Sequence, residues 1–333
     1  MQDRYGHRIS YLRVSITDRC NERCTYCMPQ ELQEWLPRDE ILSFEETLRI
    51  IRVAAELGVS KVRVTGGEPL TRRDVVHFIE QIPKISGIKS LGLSTNGTLL
   101  TRQISSGKTT ATALREAGVQ SVNISLDTLD RHVYSQITGR DFHAQVLEGI
   151  DAAIAVGFDQ IKLNTVLMRG RNEDQLVPLV EFAVSHNLIL RFIEMMPVST
   201  TEVLNEANFM STLEAKRLIE SVYGSLIPEG EFRTNGPATY YQVPGRKQRI
   251  GFIGAMTNLH FCEHCNKLRL TCDGKLRPCL GSYLEFDIIR PLRAGASDEE
   301  LKQFLLDVVE HKPAQHDFRD NYQPNRKMIA IGG

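Results

Sequence analysis

Short apolar runs with strand-like period alternate with longer stretches of helical period over about the first two thirds of the chain. Residues 11–15, 61–65, 91–94, 121–125, 161–166 and 190–193 read as strands. Between the first two, Ser43 and Glu46 form a capping box, Leu48, Ile51 and Ala55 continue at helical spacing, and Gly58 supplies a stop. Further helical patterns fall around 110–118, 142–156 and 173–186. This alternation predicts an α/β fold with a parallel sheet and right-handed crossovers. Six such strands suit a partial (β/α)6 barrel better than a complete eightfold one, with functional residues gathered at the strand C-termini. Beyond about residue 225 the alternation breaks up, and Gly, Pro and Cys mark a smaller irregular region through about 285. A helix near 298–311 and a polar tail follow. The expected division is therefore 1–224 and 225–333.

Residues 103–112 read as an exposed loop or a polar extension of a helix. Gly107-Lys108-Thr109 suggests a phosphate-binding G-x₄-G-K-[ST] loop. However, Leu100, Thr101 and Arg102 stand where its earlier glycine would fall, which excludes that reading.

At 333 residues, 41% hydrophobic and 24% charged, the chain can bury a full core. A formal net charge of −1 gives no general attraction for polyanions, so its Arg and Lys clusters read as local sites for a small anion rather than for nucleic acid. The first eight residues are not followed by an apolar signal region, and no apolar run is long enough to span a bilayer. A cytoplasmic location and no membrane partner are expected. Seven cysteines, an odd number without an export signal, argue for metal or redox use rather than disulfides.

The cysteines carry the chemistry. Cys20, Cys24 and Cys27 are spaced C-x₃-C-x₂-C on one short segment. Three thiolates placed this way can hold three corners of a [4Fe–4S] cubane and leave the fourth iron open to a substrate or cofactor. A structural zinc site wants four ligands, and its spacings usually come as pairs. At the end of the second strand, Gly66-Gly67-Glu68-Pro69 combines two glycines that admit close backbone approach with a carboxylate able to hold an ammonium; a plain βα turn is the alternative. A second group, Cys262, Cys265 and Cys279, has the spacing C-x₂-C-x₁₃-C. It could be a zinc ribbon completed by His260, His264 or Cys272. The basic residues Lys267, Arg269, Lys275 and Arg277 beside it favour instead a chelating metal next to cations, suited to a nucleotide with a coordinating base. Cys272 lies outside both triplets and needs no function.

The first triplet, with an aromatic residue before its last cysteine, resembles the signature of the radical S-adenosylmethionine (SAM) superfamily. Taken with Thr65–Arg73, Ser94-Thr95-Asn96-Gly97, Asn123–Asp127, Arg191–Met196, the second triplet and Gly332-Gly333, nearly the whole chain resembles the GTP 3′,8-cyclase family of molybdenum-cofactor (molybdopterin) biosynthesis. That resemblance implies two [4Fe–4S] clusters, on Cys20, Cys24 and Cys27 and on Cys262, Cys265 and Cys279. It implies that a 5′-deoxyadenosyl radical takes hydrogen from C3′ of GTP, and that C3′ then attacks C8. Residue by residue, Tyr26, Gly67, Glu68, Ser125 and Met196 would serve SAM, and Arg13, Arg63, Ser94, Lys162, Lys267 and Arg269 would serve GTP. Arg13, Lys267, Arg269, Gly332 and Gly333 would act in catalysis, the two glycines by reaching into the site. An electron donor and a downstream pterin-forming enzyme are the implied partners, with the chain a monomer or homodimer.

The chain departs from the family's pattern at two positions and in one segment, 103–112, which is longer than expected and falls between two barrel units. Lys267 replaces the usual Arg, exchanging a planar fork for a point charge, and Ser94 stands where Thr is usual. Competing readings are a peptide-modifying radical SAM maturase with an auxiliary cluster and a non-catalytic zinc-stabilised binding protein.

Overall fold

The computed structural model describes residues 1–28, 34–198, 204–232, 234, 236–320 and 322–332. Six strands follow one another in a parallel sheet: β1 (Tyr11–Ser15), β2 (Lys61–Thr65), β3 (Ser90–Thr95), β4 (Ser121–Ser125), β5 (Gln160–Leu167) and β6 (Ile189–Glu194). These coincide with the predicted runs to within a residue or so at each end.

The region after residue 225 is more regular than its sequence suggests. It contributes β7 (Ile227–Pro228), β8 (Thr239–Gln242), β9 (Arg249–Ile253), β10 (Lys267–Leu270), β11 (Lys275–Arg277) and β12 (Phe286–Asp287). β10 pairs parallel with β1, and β9 parallel with β6. Antiparallel additions complete a twelve-stranded sheet with the order β12-β11-β10-β1-β2-β3-β4-β5-β6-β9-β8-β7. Its two edges are β12 and β7, so the sheet is an open partial barrel. Apart from β9, these strands run only two to four residues, too short to show a period, which is why the alternation fades in the sequence.

The connecting helices are α1 (Phe44–Glu56), α2 (Val75–Gln81), α3 (Thr110–Glu116), α4 (Arg131–Thr138), α5 (His143–Val156), α6 (Leu176–Ser185), α7 (Thr212–Tyr223), α8 (Ile289–Arg293), α9 (Asp298–Glu310) and α10 (Met328–Ile331). The Ser43–Glu46 capping box forms in both directions, at 2.7 and 3.1 Å. Periodicity passes over α7 because it buries little: Leu213, Leu218 and Val222 are exposed, and only Ala215 and Ile219 enter the core. Residues 103–109 make a small outward hairpin closed by a Gln103–Thr109 bridge, and they do not line the central cavity.

Strand alternation organises the interior. Val62, Val64, Val122, Ile124, Leu163, Leu190 and Phe192 face the helices, packing with Ile50, Phe78, Leu114 and Ile150 in one core. The alternate residues of the same strands face a cavity. Among the described residues no helix is long and apolar enough to cross a membrane.

Candidate active site

A cavity of about 740 Å³ lies against the inner face of the sheet and is lined by both cysteine triplets. On β1, β2 and β10, register sets Arg269, Arg13 and Arg63 side by side across three adjacent strands. One step along, Lys267, Tyr11 and Lys61 form a second row. The next position in the arginine row is Gly92 on β3. A Cβ there would come within 2.5 Å of the Arg63 guanidinium, so this glycine makes room for the arginine. Arg63 donates to Tyr11 Oη (2.7 Å), the Leu93 carbonyl (2.6 Å) and Ser121 Oγ (2.8 Å). Lys162 and Arg191 enter from β5 and β6. Lys162 Nζ donates to Gln160 Oε1 at 2.5 Å, and Arg191 Nε donates to Asn164 Oδ1 at 2.9 Å.

Like charges crowded together and desolvated are costly. Burial first, then Arg191, Arg63 and Lys61, pull the Lys162 ammonium down to about 6. Burial likewise lowers Lys61 to about 8 and Arg269 to about 9. Burial would raise the Tyr11 phenol, but the fields of Arg63, Arg13 and Lys61 outweigh it and bring it to about 7. This end of the cavity is built to receive an anion. Asn123 Oδ1, buried at its wall without a hydrogen-bond partner, leaves an acceptor for a donor on whatever binds.

The first triplet occupies the loop after β1. Amides of Cys27 and Met28 both donate to the Cys24 carbonyl at 2.9 Å, and the Glu22 amide donates to Cys20 Sγ at 3.4 Å. The glycine pair packs against this loop: Gly67 and Glu68 amides donate to the Thr17 and Arg19 carbonyls, each at 2.8 Å. A Cβ on Gly67 would lie 2.4 Å from the Arg19 carbonyl oxygen. The glycines are thus required by the cysteine loop itself, and Gly67 also lines the cavity.

Glu68 is fully buried and is not part of the cavity lining. Its carboxylate accepts from Asn96 N (2.7 Å), Thr95 Oγ1 (2.9 Å) and Leu70 N (3.0 Å), fastening the glycine loop to the end of β3. Burial pushes its carboxyl up to about 7. Tyr26, Ser125 and Met196 line the cavity, and Tyr26 Oη donates to Asp127 Oδ2 at 2.8 Å.

All seven cysteines are free thiols. In the second triplet, Cys262, Cys265 and Cys279 accept backbone N–H groups from His316, Lys267 and Gly281 respectively. Such donors suit thiolates that carry charge or bind metal. Lys312, only 3% exposed, donates to the carbonyls of Lys267 (3.3 Å) and Pro278 and hydrogen-bonds Cys265. Cys272 sits apart, beside Ser15 and Asp18 and outside the cavity lining, with its thiol pushed up to about 12 by burial. Among the described residues, no three His, Cys, Asp or Glu side chains are grouped closely enough to hold a single metal ion.

The cavity therefore collects all six triplet cysteines, the six predicted GTP-side residues, and Tyr26, Gly67, Ser125 and Met196. Ser94 lies in register with Asn123 on its wall. Gly332 is buried against Ser15 and Thr65, and its carbonyl accepts from Arg269 Nη1 at 3.1 Å. Gly333 lies outside the described residues. Tyr11, Lys61, Asn164 and Arg191 also line the cavity and are not among the site residues expected from the sequence. Tyr11 and Lys61 stand two positions before Arg13 and Arg63 on the same strand faces, so alternation alone identifies them. Lys312 has no comparable signal.

A Radical SAM superfamily model matches residues 14–183, and a Molybdenum Cofactor Synthesis C model matches residues 188–318. The chain is 43% identical over 334 residues to GTP 3′,8-cyclase of Thermodesulfovibrio yellowstonii, covering 100% of both chains. It is 43% identical over 333 residues to GTP 3′,8-cyclase of Moorella thermoacetica, again covering 100% of both. Among solved structures, Streptococcus suis SuiB bound to S-adenosylmethionine superposes with a TM-score of 0.64 at 17% identity, covering 98% of this chain and 71% of that one. The anSMEcpe structure with bound AdoMet gives 0.58 at 14% identity, covering 97% and 87%. At these identities the two structures speak to the fold alone.

Proposed function

The chain belongs to the GTP 3′,8-cyclase family of radical SAM enzymes, and from that premise we propose how its cavity divides the reaction between two ends. The activity is the family's: GTP cyclisation, the first step of molybdenum-cofactor biosynthesis. Cys20, Cys24 and Cys27 would hold the radical-generating [4Fe–4S] cluster, and Cys262, Cys265 and Cys279 a second one. The donor sets fit in number and kind, as unbridged thiols on one cavity with backbone N–H groups directed at sulfur. A cluster held there would supply, with an electron from an external donor, the reductive cleavage of SAM to methionine and a 5′-deoxyadenosyl radical.

This chain's own residues position the reactants. Tyr26, Gly67, Ser125 and Met196 serve SAM at the first-triplet end, while Glu68 holds the glycine loop in place from behind. Arg13, Arg63, Lys162, Lys267 and Arg269, with the Ser94 hydroxyl, receive GTP and present C3′ toward that end. Lys61 and Arg191 add charge for the triphosphate. One observation carries this reading: every charged group acting on buried Lys162 is another cation. Such a cluster is offset by a polyanion filling the cavity. Arg269, which donates to the Gly332 carbonyl at 3.1 Å, would orient the nucleotide with the tail held beside it. A separate electron donor, delivery to a pterin-forming enzyme and a cytoplasmic setting complete the proposal.

Anaerobic turnover with SAM, a strong reductant and GTP tests it, following 5′-deoxyadenosine and the cyclised nucleotide together by mass spectrometry. Both products are expected, from protein carrying about eight irons per chain. Deoxyadenosine without cyclised nucleotide would point to another substrate, as in the maturase reading. Stoichiometric zinc and neither product would favour the binding-protein reading.

A further inference from the structure

Arg277 is a guanidinium with no solvent exposure, on a short strand two residues before Cys279, and nothing in the proposed chemistry uses it. Its Nη1 donates to Glu285 Oε2 (2.5 Å) and Asn325 Oδ1 (3.1 Å), and its Nη2 to the Ser282 carbonyl (2.5 Å) and Tyr322 Oη (3.4 Å). Two of these partners, Tyr322 and Asn325, belong to the C-terminal tail. The next tail residue, Arg326, bridges Glu285 at 2.5 Å and Asp273 at 2.8 Å. The Gln323 amide donates to Tyr283 Oη at 2.8 Å, and the Tyr283 and Tyr322 rings meet at 4.8 Å.

Arg277 lies opposite Arg269 in the β10–β11 register. The same two-strand hairpin therefore grips the tail twice: Arg277 holds residues 322–326, and Arg269 receives the Gly332 carbonyl. We propose that Arg277 is a positioning residue that seats the C-terminal tail, through Tyr322, Asn325 and the Glu285–Arg326 pair, so that Gly332 reaches Arg269 in the cavity. This rests on the reading that the tail acts at the cavity. A buried, forked guanidinium suits the task because it fixes several acceptors in one plane, which a lysine cannot do. Gly332 has φ +84°, and a Cβ there would come within 2.5 Å of Thr65 Cγ2. Its seat tolerates little displacement, and small misplacements of reacting groups are expensive in rate.

The test compares Arg277→Gln, Gly332→Ala and the double variant in the reconstituted full chain. In Arg277→Gln, amide hydrogen exchange over residues 322–332 is expected to quicken at least about tenfold, with β1 to β6 unchanged. Iron content and the KM for SAM should hold. The kcat for cyclised nucleotide should fall about tenfold to a hundredfold, with deoxyadenosine per cyclised product rising. Arg277→Lys should recover little. Added to Gly332→Ala, Arg277→Gln should cost almost nothing further, because both unseat the same tail.

Unchanged exchange over 322–332 would overturn the clamp, as would losses that simply multiply in the double variant or a fall in iron content. Faster tail exchange with cyclisation intact would leave the tail bound by Arg277 but remove its part in the reaction. If Arg277→Gln does not fold, Asn325→Ala removes one partner from the tail side and should give the same pattern at smaller amplitude; no change in tail exchange there would equally overturn the proposal.

Discussion

The two cysteine triplets share a ligand type and one cavity, yet their surroundings differ in sign. Around Cys20, Cys24 and Cys27 the buried ionisable neighbours are acids. Burial and then Glu68 raise the Cys20 thiol, burial and then Glu22 raise Cys24, and burial with Glu22 pushes Cys27 up to about 12. Glu22, itself raised to about 7 by burial, accepts the Tyr134 hydroxyl, and Asp127 is raised to about 6. Around the second triplet the charged side chains that act on the thiols, apart from the cysteines themselves, are the cations Lys312, Lys267 and Arg319. Burial would raise Cys265, but Lys312 and Lys267 outweigh it and leave that thiol below its ordinary value. Burial takes Cys279 up to about 11 against the opposing field of Lys312. An acidic shell resists added negative charge, which suits a centre that gives its electron away. A cationic shell steadies negative charge, and would suit thiolates that hold a second centre beside a polyanionic substrate.

Removing one ligand at each end should break the cavity in two different ways. Cys24→Ser is expected to abolish 5′-deoxyadenosine formation, measured anaerobically with SAM and reductant; retained cleavage would count against the radical-generating role of that triplet. Cys262→Ser should keep some uncoupled SAM cleavage while losing GTP cyclisation. Full turnover by this variant would make the second triplet structural. Next in size comes the cation nest. Lys162→Met should raise the KM for GTP about tenfold to a hundredfold, the worth of one charge-assisted contact at about 1.5–3 kcal/mol, and leave the KM for SAM unchanged. A parallel rise in both would place Lys162 outside the substrate end.

Much of this arrangement is legible in the chain because strand alternation is a short-range rule. Arg13, Arg63 and Lys162 sit on apolar strands at positions that must face away from the core, and the cysteine spacings are local by nature. What escapes the sequence is set by register between distant strands. Nothing near Arg63 reveals that Arg269, more than two hundred residues later, becomes its lateral neighbour but one through the β10–β1 pairing. Gly92 looks like a weak point in β3 until the Arg63 guanidinium is seen to need its space. Glu68, read as a ligand for an ammonium, spends its oxygens on Thr95, Asn96 and Leu70. Lys312 follows α9 in a polar stretch, and only the folded chain brings it to Cys265 and the Pro278 carbonyl.

Lys312 offers a finer test of the contrast. Bound metal requires ionised thiols, so metal retention falls as pH falls, most steeply where no cation helps. The first triplet should therefore lose iron at higher pH than the second. Lys312→Met should cost the second triplet about tenfold to a hundredfold in metal affinity, as loss of an outer-shell partner does elsewhere. Iron content across pH, read in the Cys24→Ser background so that only the second site reports, would show it. An unchanged profile would mean that the three backbone N–H donors suffice without the lysine.

The smallest effect is a proton count, and its sign follows from burial. The Lys162 value of about 6 lies below the 10.5 of an unfolded lysine. Between those values the unfolded chain binds a proton that the folded chain does not. The cost of burying Lys162 is therefore full below about pH 6 and is relieved as pH rises toward 10.5. A bound triphosphate reverses the preference, because an adjacent anion restores the charged form. GTP binding near pH 8 should then be accompanied by uptake of up to about one proton at Lys162, with a further share from Lys61, whose value is about 8. Calorimetry in buffers of different ionisation enthalpy measures this directly, and Lys162→Met should remove most of it. No uptake in the unmodified protein would mean that Lys162 is already charged in the empty cavity, so that this end is less desolvated than its crowding of cations implies.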